Sequence, residues 1–237
     1  LEKEQTVKSY ISRVEYAINQ ANNNSTKLEQ AQLDIVGMSS SKIRIFLNEI
    51  VDDINTRYLE IGVWMGSTFV SALYKNKPQF ALAIDNFSQF GTDVHGTYDI
   101  KNIFETNMKS NDINNYTMYN SDCFNLPDHQ FLALHDELRF MKKANVSSGL
   151  FNVYLYDGGH TEKDHVYALT HYYFFLDDVF IFIVDDWNSD DVKKGTRRAI
   201  DLTGVKVHKE WELPANYNGD RELWWNGYYV AVCEKVK

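Results

Sequence analysis

The chain has little of what marks several protein classes. Only two of its 237 residues are cysteine, Cys123 and Cys233. That makes no disulfide framework and no zinc-ligand spacing, and it fits the cysteine usage of an intracellular protein. Prolines number three, and no repeat, low-complexity run or Gly/Ser-rich tract interrupts the chain, so no flexible linker is expected. No apolar run approaches the roughly 18 residues that span a bilayer; the richest, residues 179–184, has the length of a buried strand. The polar, charged start is unlike a signal peptide, so a cytoplasmic location is expected. Opening on Leu1 rather than Met is what a trimmed chain or one module of a longer polypeptide would show. Basic residues are also in deficit: 24 against 33 acidic ones leaves a net charge of −9. That balance repels phosphate backbones and anionic lipid, so neither nucleic acid nor membrane is an expected partner.

What is present is ample core material, with 44% hydrophobic and 14% aromatic residues. Val7, Ile11, Val14, Ile18 and Ala21 recur at helical spacing. Ser39-Ser40-Ser41 then precedes Ile43, Phe46, Leu47 and Ile50, as a capped amphipathic helix would. From Arg57 the pattern alternates. Strands are predicted at residues 58–63, 80–85, 116–120, 151–156 and 179–184, with helices at 68–75, 100–109, 129–142, 162–175 and 191–203 between and after them. Two further strands, 205–213 and 227–234, close the chain. Alternating strands and helices predict an α/β fold with a Rossmann-like doubly wound sheet of seven strands, ending in an antiparallel pair. The organisation expected is a helical cap over residues 1–56 and a single cofactor-binding domain over 57–237.

In such a sheet, ligands bind beyond the carboxyl ends of the strands. Three sets of residues fall there. Glu60-Ile61-Gly62-Val63-Trp64-Met65-Gly66-Ser67 joins a strand to a helix, with glycines for a tight turn and a close backbone approach. Trp64 stands where a dinucleotide fingerprint needs a second glycine, which disfavours a nicotinamide-dependent oxidoreductase. Asp85 ends the second strand, where an acid takes ribose hydroxyls. Asp122 follows the third strand, placed to meet an adenine amino group with Cys123 and Phe124 near the ring. Asp157-Gly158-Gly159-His160 ends the fourth strand and Asp185-Asp186 the fifth. Three carboxylates at neighbouring strand ends repel one another without a cation, and such hard oxygen ligands suit Mg²⁺, Mn²⁺ or Ca²⁺. His160 is the candidate base.

These motifs together resemble the class I S-adenosylmethionine-dependent methyltransferases, and among them the metal-dependent small-molecule O-methyltransferases. Residues 60–66 are similar to the first motif of the macrocin O-methyltransferase group, which acts on antibiotic sugars, with Met65 where that group usually carries Arg. Asp157-Gly158-Gly159-His160 and Ile183-Val184-Asp185-Asp186-Trp187 resemble its two metal motifs, with Gly159 where the group often has an acid. Catechol O-methyltransferase offers a parallel pattern at Asp157, His160, Asp185 and Asp186. The resemblance implies S-adenosylmethionine held by Glu60, Gly62, Val63, Trp64, Gly66, Ser67, Asp85, Asp122 and Cys123. It implies a divalent metal on Asp157, Asp185 and Asp186, and catalysis by His160 with Asp157. The implied reaction is methyl transfer to a hydroxyl of a small molecule or glycan.

A sugar acceptor is favoured by the segment 211–229. There Trp211, Tyr217, Trp224, Trp225, Tyr228 and Tyr229 interleave with Asn216, Asn218, Asp220 and Asn226, aromatic faces and polar groups of the kind that bind sugar rings. A catechol-like phenol is the second acceptor class, and a non-catalytic binding module on the same fold is a further alternative. His95 and Tyr98, in the loop after Asp85, are candidates for a lid. Lys193, Lys194, Arg197 and Arg198 form one basic cluster, expected as a solvated helix face or a contact for a phosphorylated sugar donor. The oligomeric state is open.

Overall fold

The computed structural model describes residues 2–88 and 99–236. Seven strands form one sheet in the order β3-β2-β1-β4-β5-β7-β6. β1 (Arg57–Ile61), β2 (Phe80–Asp85), β3 (Thr117–Asn120), β4 (Phe151–Tyr156) and β5 (Leu176–Val184) run parallel. β7 (Tyr228–Glu234) inserts antiparallel between β5 and β6 (Lys206–Leu213). The chain turns back at β1: β2 and β3 lie to one side of it and β4 and β5 to the other. Its carboxyl end is therefore the point where ligands are expected in this architecture.

Strand alternation assigns each residue to one of two cores. Tyr58, Ala81, Ala83, Val153, Leu155, Ile181, Ile183, Val230 and Val232 face one side. They pack against α1 (Glu2–Asn22), α3 (Ser41–Val51), α4 (Ser67–Leu73) and α5 (Ile100–Ser110). Leu59, Leu82, Tyr154, Phe182 and Ala231 face the other side, under α6 (Asp128–Lys143), α7 (Glu162–Tyr172) and α8 (Asp190–Thr203). The helices that precede β1 thus share a core with the sheet: Val7, Val14, Ile43 and Phe46 belong to the same apolar cluster as the strand residues. Ser40 caps α3 by accepting from the Ile43 amide at 3.3 Å. A short α2 (Gln30–Leu33) stands between α1 and α3, where the sequence shows no helical stripe. No helix among the described residues is long and apolar enough to cross a membrane.

Candidate active site at the carboxyl rim of the sheet

The strand ladder continues one step past its ends: Gly62 N donates to Ile84 O at 2.9 Å, Asp157 N to Ile61 O at 2.9 Å, and Asp185 N to Tyr156 O at 3.2 Å. This brings the loops after β1, β4 and β5 side by side. Gly62 has φ +85°, and a Cβ there would stand 1.7 Å from the Asp157 carbonyl oxygen, so only glycine allows the two loops to meet. Trp64 follows at φ 43°. Its amide donates to Asp85 Oδ2 at 2.8 Å, while Phe87 N donates to Asp85 Oδ1 at 2.6 Å. Asp85 therefore ties the loop after β1 to the loop after β2.

A cavity of about 340 Å³ opens over these loops, within the range of small-molecule sites. Of the residues expected to hold cofactor, Gly62, Trp64, Asp85, Asp122 and Cys123 line it, with Asp157 and His160 on the same wall. Glu60, Val63, Gly66 and Ser67 are outside that lining. Glu60 is fully buried beneath it, where the Tyr58 and Thr68 hydroxyls donate to its two oxygens. Burial pushes the Glu60 carboxyl up to about 7, and the charge of Asp85 adds to the rise. Asp122 is exposed, and its Oδ1 accepts from the Phe124 amide at 2.9 Å in a local turn. Burial pushes the Cys123 thiol up to about 12, so it stays protonated and wall-like. Met38, Asn86 and Asp164 also line the cavity; no periodicity or motif in the sequence points to them. His95 and Tyr98 lie outside the described residues.

Beside the cavity, Asp157, His160 and Asp186 each offer a ligand atom within 4.8 Å of the other two. His160 Nδ1 is 3.1 Å from Asp186 Oδ2, and Asn226 Nδ2 donates to Asp186 Oδ1 at 2.5 Å. Asp185, expected as a ligand, stands outside this group among the described residues. Alternation along β5 sends it to the same face as Ile181 and Ile183, where it is 6% exposed and its Oδ1 has no hydrogen-bond partner among the described residues. Asp186 then takes φ 58° and presents its carboxylate at the rim. Burial raises both Asp157 and Asp185 well above the ordinary carboxylate range, and the charge of Asp186 raises them further. No lysine or arginine among the described residues forms an ion pair with this group.

The aromatic segment divides. Trp224, Tyr228 and Tyr229 are buried core residues, Tyr217 is exposed, and Trp225 is half-buried beside Asn226. The basic cluster on α8 is partly neutralised: Arg197 pairs with Glu210 and Glu212 and stacks over Trp187 and Tyr229, and Arg198 pairs with Glu162.

No family profile and no curated protein matches the sequence. Solved structures match the fold. An O-methyltransferase from Bacillus cereus, in complex with SAH, has a TM-score of 0.52 at 14% identity, over 94% of this chain and 91% of that one. TomG, an O-methyltransferase from Streptomyces achromogenes involved in tomaymycin synthesis and solved with SAM, also has a TM-score of 0.52, at 12% identity, over 94% and 89% of the two chains. Cofactor-bound Rv0187 from MTB has the same score at 13% identity, over 96% and 91%. The fold is that of the class I S-adenosylmethionine-dependent methyltransferases.

Proposed function

We propose that the protein is an S-adenosylmethionine-dependent O-methyltransferase that acts on a sugar or glycan hydroxyl with the help of Mg²⁺ or Mn²⁺. One observation carries the reading. In this fold, a cavity of small-molecule size adjoins Asp157, His160 and Asp186 at the carboxyl rim of the sheet. The two carboxylates fit a hard divalent cation, with the imidazole of His160 beside them and no basic side chain paired to them among the described residues. When bound, S-adenosylmethionine supplies a methyl group on a sulfonium, and the metal lowers the pKa of the hydroxyl it meets.

The remaining work falls to the chain. Asp85 locks the loops that hold Gly62 and Trp64, and each of its oxygens keeps a lone pair for a ribose hydroxyl. Asp122 keeps Oδ2 for the adenine edge. Asp157 and Asp186 hold the cation. Asp186 accepts the Nδ1 proton of His160, which fixes the tautomer and leaves Nε2 to take the proton of the acceptor hydroxyl. Asn226 holds Asp186 in place. The half-buried Trp225, next in the chain to the Asn226 that holds Asp186, supports a sugar acceptor by offering an apolar ring face near the reacting centre.

A labelled-methyl assay over sugars, nucleotide sugars and phenols, with and without chelator, tests this reading. Transfer to a sugar that stops on chelation and returns with Mg²⁺ or Mn²⁺ is the expected result. Full activity in excess chelator removes the metal from the account, and a phenol as the only acceptor removes the sugar.

A further inference from the structure

A second cavity, of about 420 Å³, opens beside the first, between the segment joining α2 to α3 and the loop joining β6 to β7. The two share a partition. Met38 lines the first cavity while its chain neighbours Gly37 and Ser39 line the second. Trp225 lines the second, and the next residue, Asn226, holds Asp186.

The chemistry of this wall is opposite to that of the first. Arg44, on α3, is 3% exposed. Its Nε donates to Ser39 Oγ at 3.0 Å, and its Nη1 to the carbonyls of Gln32 and Leu33 at 3.1 and 2.7 Å. These contacts hold the guanidinium rigidly and leave Nη2 without an acceptor among the described residues. Arg44 and Gly37 both line the cavity, and a Cβ on Gly37 would stand 1.9 Å from Ser67 Oγ and 3.1 Å from Nη2, so only glycine fits there. No carboxylate forms an ion pair with Arg44 among the described residues; Asp34, on the same wall, is exposed, accepts from Gln30 Nε2 at 2.8 Å, and acts on Arg44 through its charge alone. Arg221 lines the cavity with no hydrogen bond or ion pair among the described residues, and its charge acts on Arg44. Burial lowers the Arg44 guanidinium only to about 10, so it is charged at neutral pH. The cavity also meets the start of α3, an 11-residue helix with no acid in its first turn. Ser40 caps the Ile43 amide there, and the amides of Ser41 and Lys42 donate to nothing among the described residues.

We propose that this cavity is an anion subsite that binds a phosphate group carried by the acceptor, between Arg44 Nη2, Arg221 and the amides opening α3. The binding of phosphate stands by itself; that the phosphate belongs to the methyl acceptor rests on the methyltransferase reading. Two cations beside unfilled helix amides suit a tetrahedral anion with several oxygens. In a chain of net charge −9, two arginines that outnumber Asp34 on one wall, neither of them ion-paired among the described residues, give an anion the local attraction that the whole molecule withholds. The ring of Trp225 offers a face for the sugar attached to that phosphate, and Met38 separates it from the methyl-transfer cavity by the width of one residue. The acceptor class so defined is a sugar phosphate or nucleotide-linked sugar.

Calorimetric titration of the full chain with inorganic pyrophosphate tests the subsite, with Arg221→Glu and Arg44→Lys as variants. Thermal unfolding and S-adenosylmethionine binding report whether each variant is folded, and Arg221→Glu, at an exposed position, keeps the test open should Arg44→Lys fail to fold. Saturable binding, weakened about tenfold or more in Arg221→Glu, is the expected result. No saturable binding to the unaltered chain, or equal binding in a folded Arg221→Glu, overturns the subsite. Tighter binding of acetate than of pyrophosphate overturns the assignment to phosphate. A second arm compares a neutral sugar with its phosphate ester in methyl transfer. Arg221→Glu should raise KM for the ester more than for the neutral sugar, and an equal rise for both overturns the link to the acceptor. The pyrophosphate arm needs no methyl transfer, so it decides the subsite even if the enzymatic reading fails.

Discussion

The two rims of the sheet treat buried charge in opposite ways. At the amino ends of the strands, Arg57 is 5% exposed and ion-paired with Asp177, whose other oxygen accepts from the Ser148 hydroxyl. Lys3 pairs with Asp178 at 2.8 Å, and Arg13 donates to Thr56 Oγ1 at 2.5 Å. At the carboxyl ends, Glu60, Asp157, Asp185 and Asp186 gather without a lysine or arginine partner among the described residues. Among the described residues, the side chains that meet them are hydroxyls, an amide and a histidine. Backbone strain does not divide the rims: Trp64, Phe87, Asp186 and Trp225 take positive φ beyond the carboxyl ends, and Lys75, Asp112 and Asn145 take it in the loops that lead to the amino ends. The paired rim is built for stability. The acidic rim gives stability up, and a bound cation is what would restore it.

Four substitutions probe that contrast, taken in order of effect. Asp186→Ala should leave no measurable methyl transfer while S-adenosylmethionine still binds in calorimetry, since the residue is outside the lining of the first cavity. Retained turnover would break the metal assignment. Arg57→Ala should cost about 3 kcal/mol in urea unfolding, because it removes the partner of the half-buried Asp177 and the packing of a buried guanidinium. Its effect on cofactor affinity should be small, as the two rims are separate. A loss of affinity with little loss of stability would invert the comparison.

Glu60→Gln sharpens it through pH. The Glu60 carboxyl is raised in the folded chain to about 7 from about 4.5. The native state therefore holds a proton that the unfolded chain has released between those values. The resulting stability is full below about pH 4.5 and is lost as pH rises through 7. In the metal-free protein, Glu60→Gln should remove about 3 kcal/mol of that decline between pH 4.5 and pH 8, read from unfolding midpoints. Asp157 and Asp185 are shifted in the same direction, so a slope remains in the variant. An unchanged slope would show that Glu60 is ionised in the folded state. The smallest effect is that of His160→Ala, expected to slow transfer by about 10²-fold with the fold intact, as removal of a general base does. Loss of metal binding in that variant would make His160 a ligand instead.

Strong alternation made the strands legible. β2 and β4 occupy the predicted residues 80–85 and 151–156 because their buried apolar runs are bounded by polar turns. β5 begins at Leu176, three residues earlier than predicted, because Asp177 and Asp178 read as turn residues. Asp177 is accommodated in the strand by its pairing with Arg57. At the site, a run of adjacent aspartates marked the place and concealed the geometry. Asp185 and Asp186 look equivalent in sequence, yet strand alternation buries the first, and a positive φ presents the second. His160 joins Asp157 and Asp186 because the turn after β4 returns it to the rim. Arg44 gave no signal, since one arginine in a helix with an apolar stripe reads as a surface residue. Its burial depends on the segment 32–39 folding over it, which no local pattern encodes.

The central claim is that the acidic rim is a cation site. Titrating the unaltered chain with Mn²⁺ in the presence of S-adenosylmethionine, followed by the loss of the free-ion paramagnetic resonance signal, tests it directly. The account predicts one bound Mn²⁺ per chain, lost in Asp157→Asn and Asp186→Asn and kept in Glu60→Gln. No binding to the unaltered chain, or equal binding in all three variants, would contradict it.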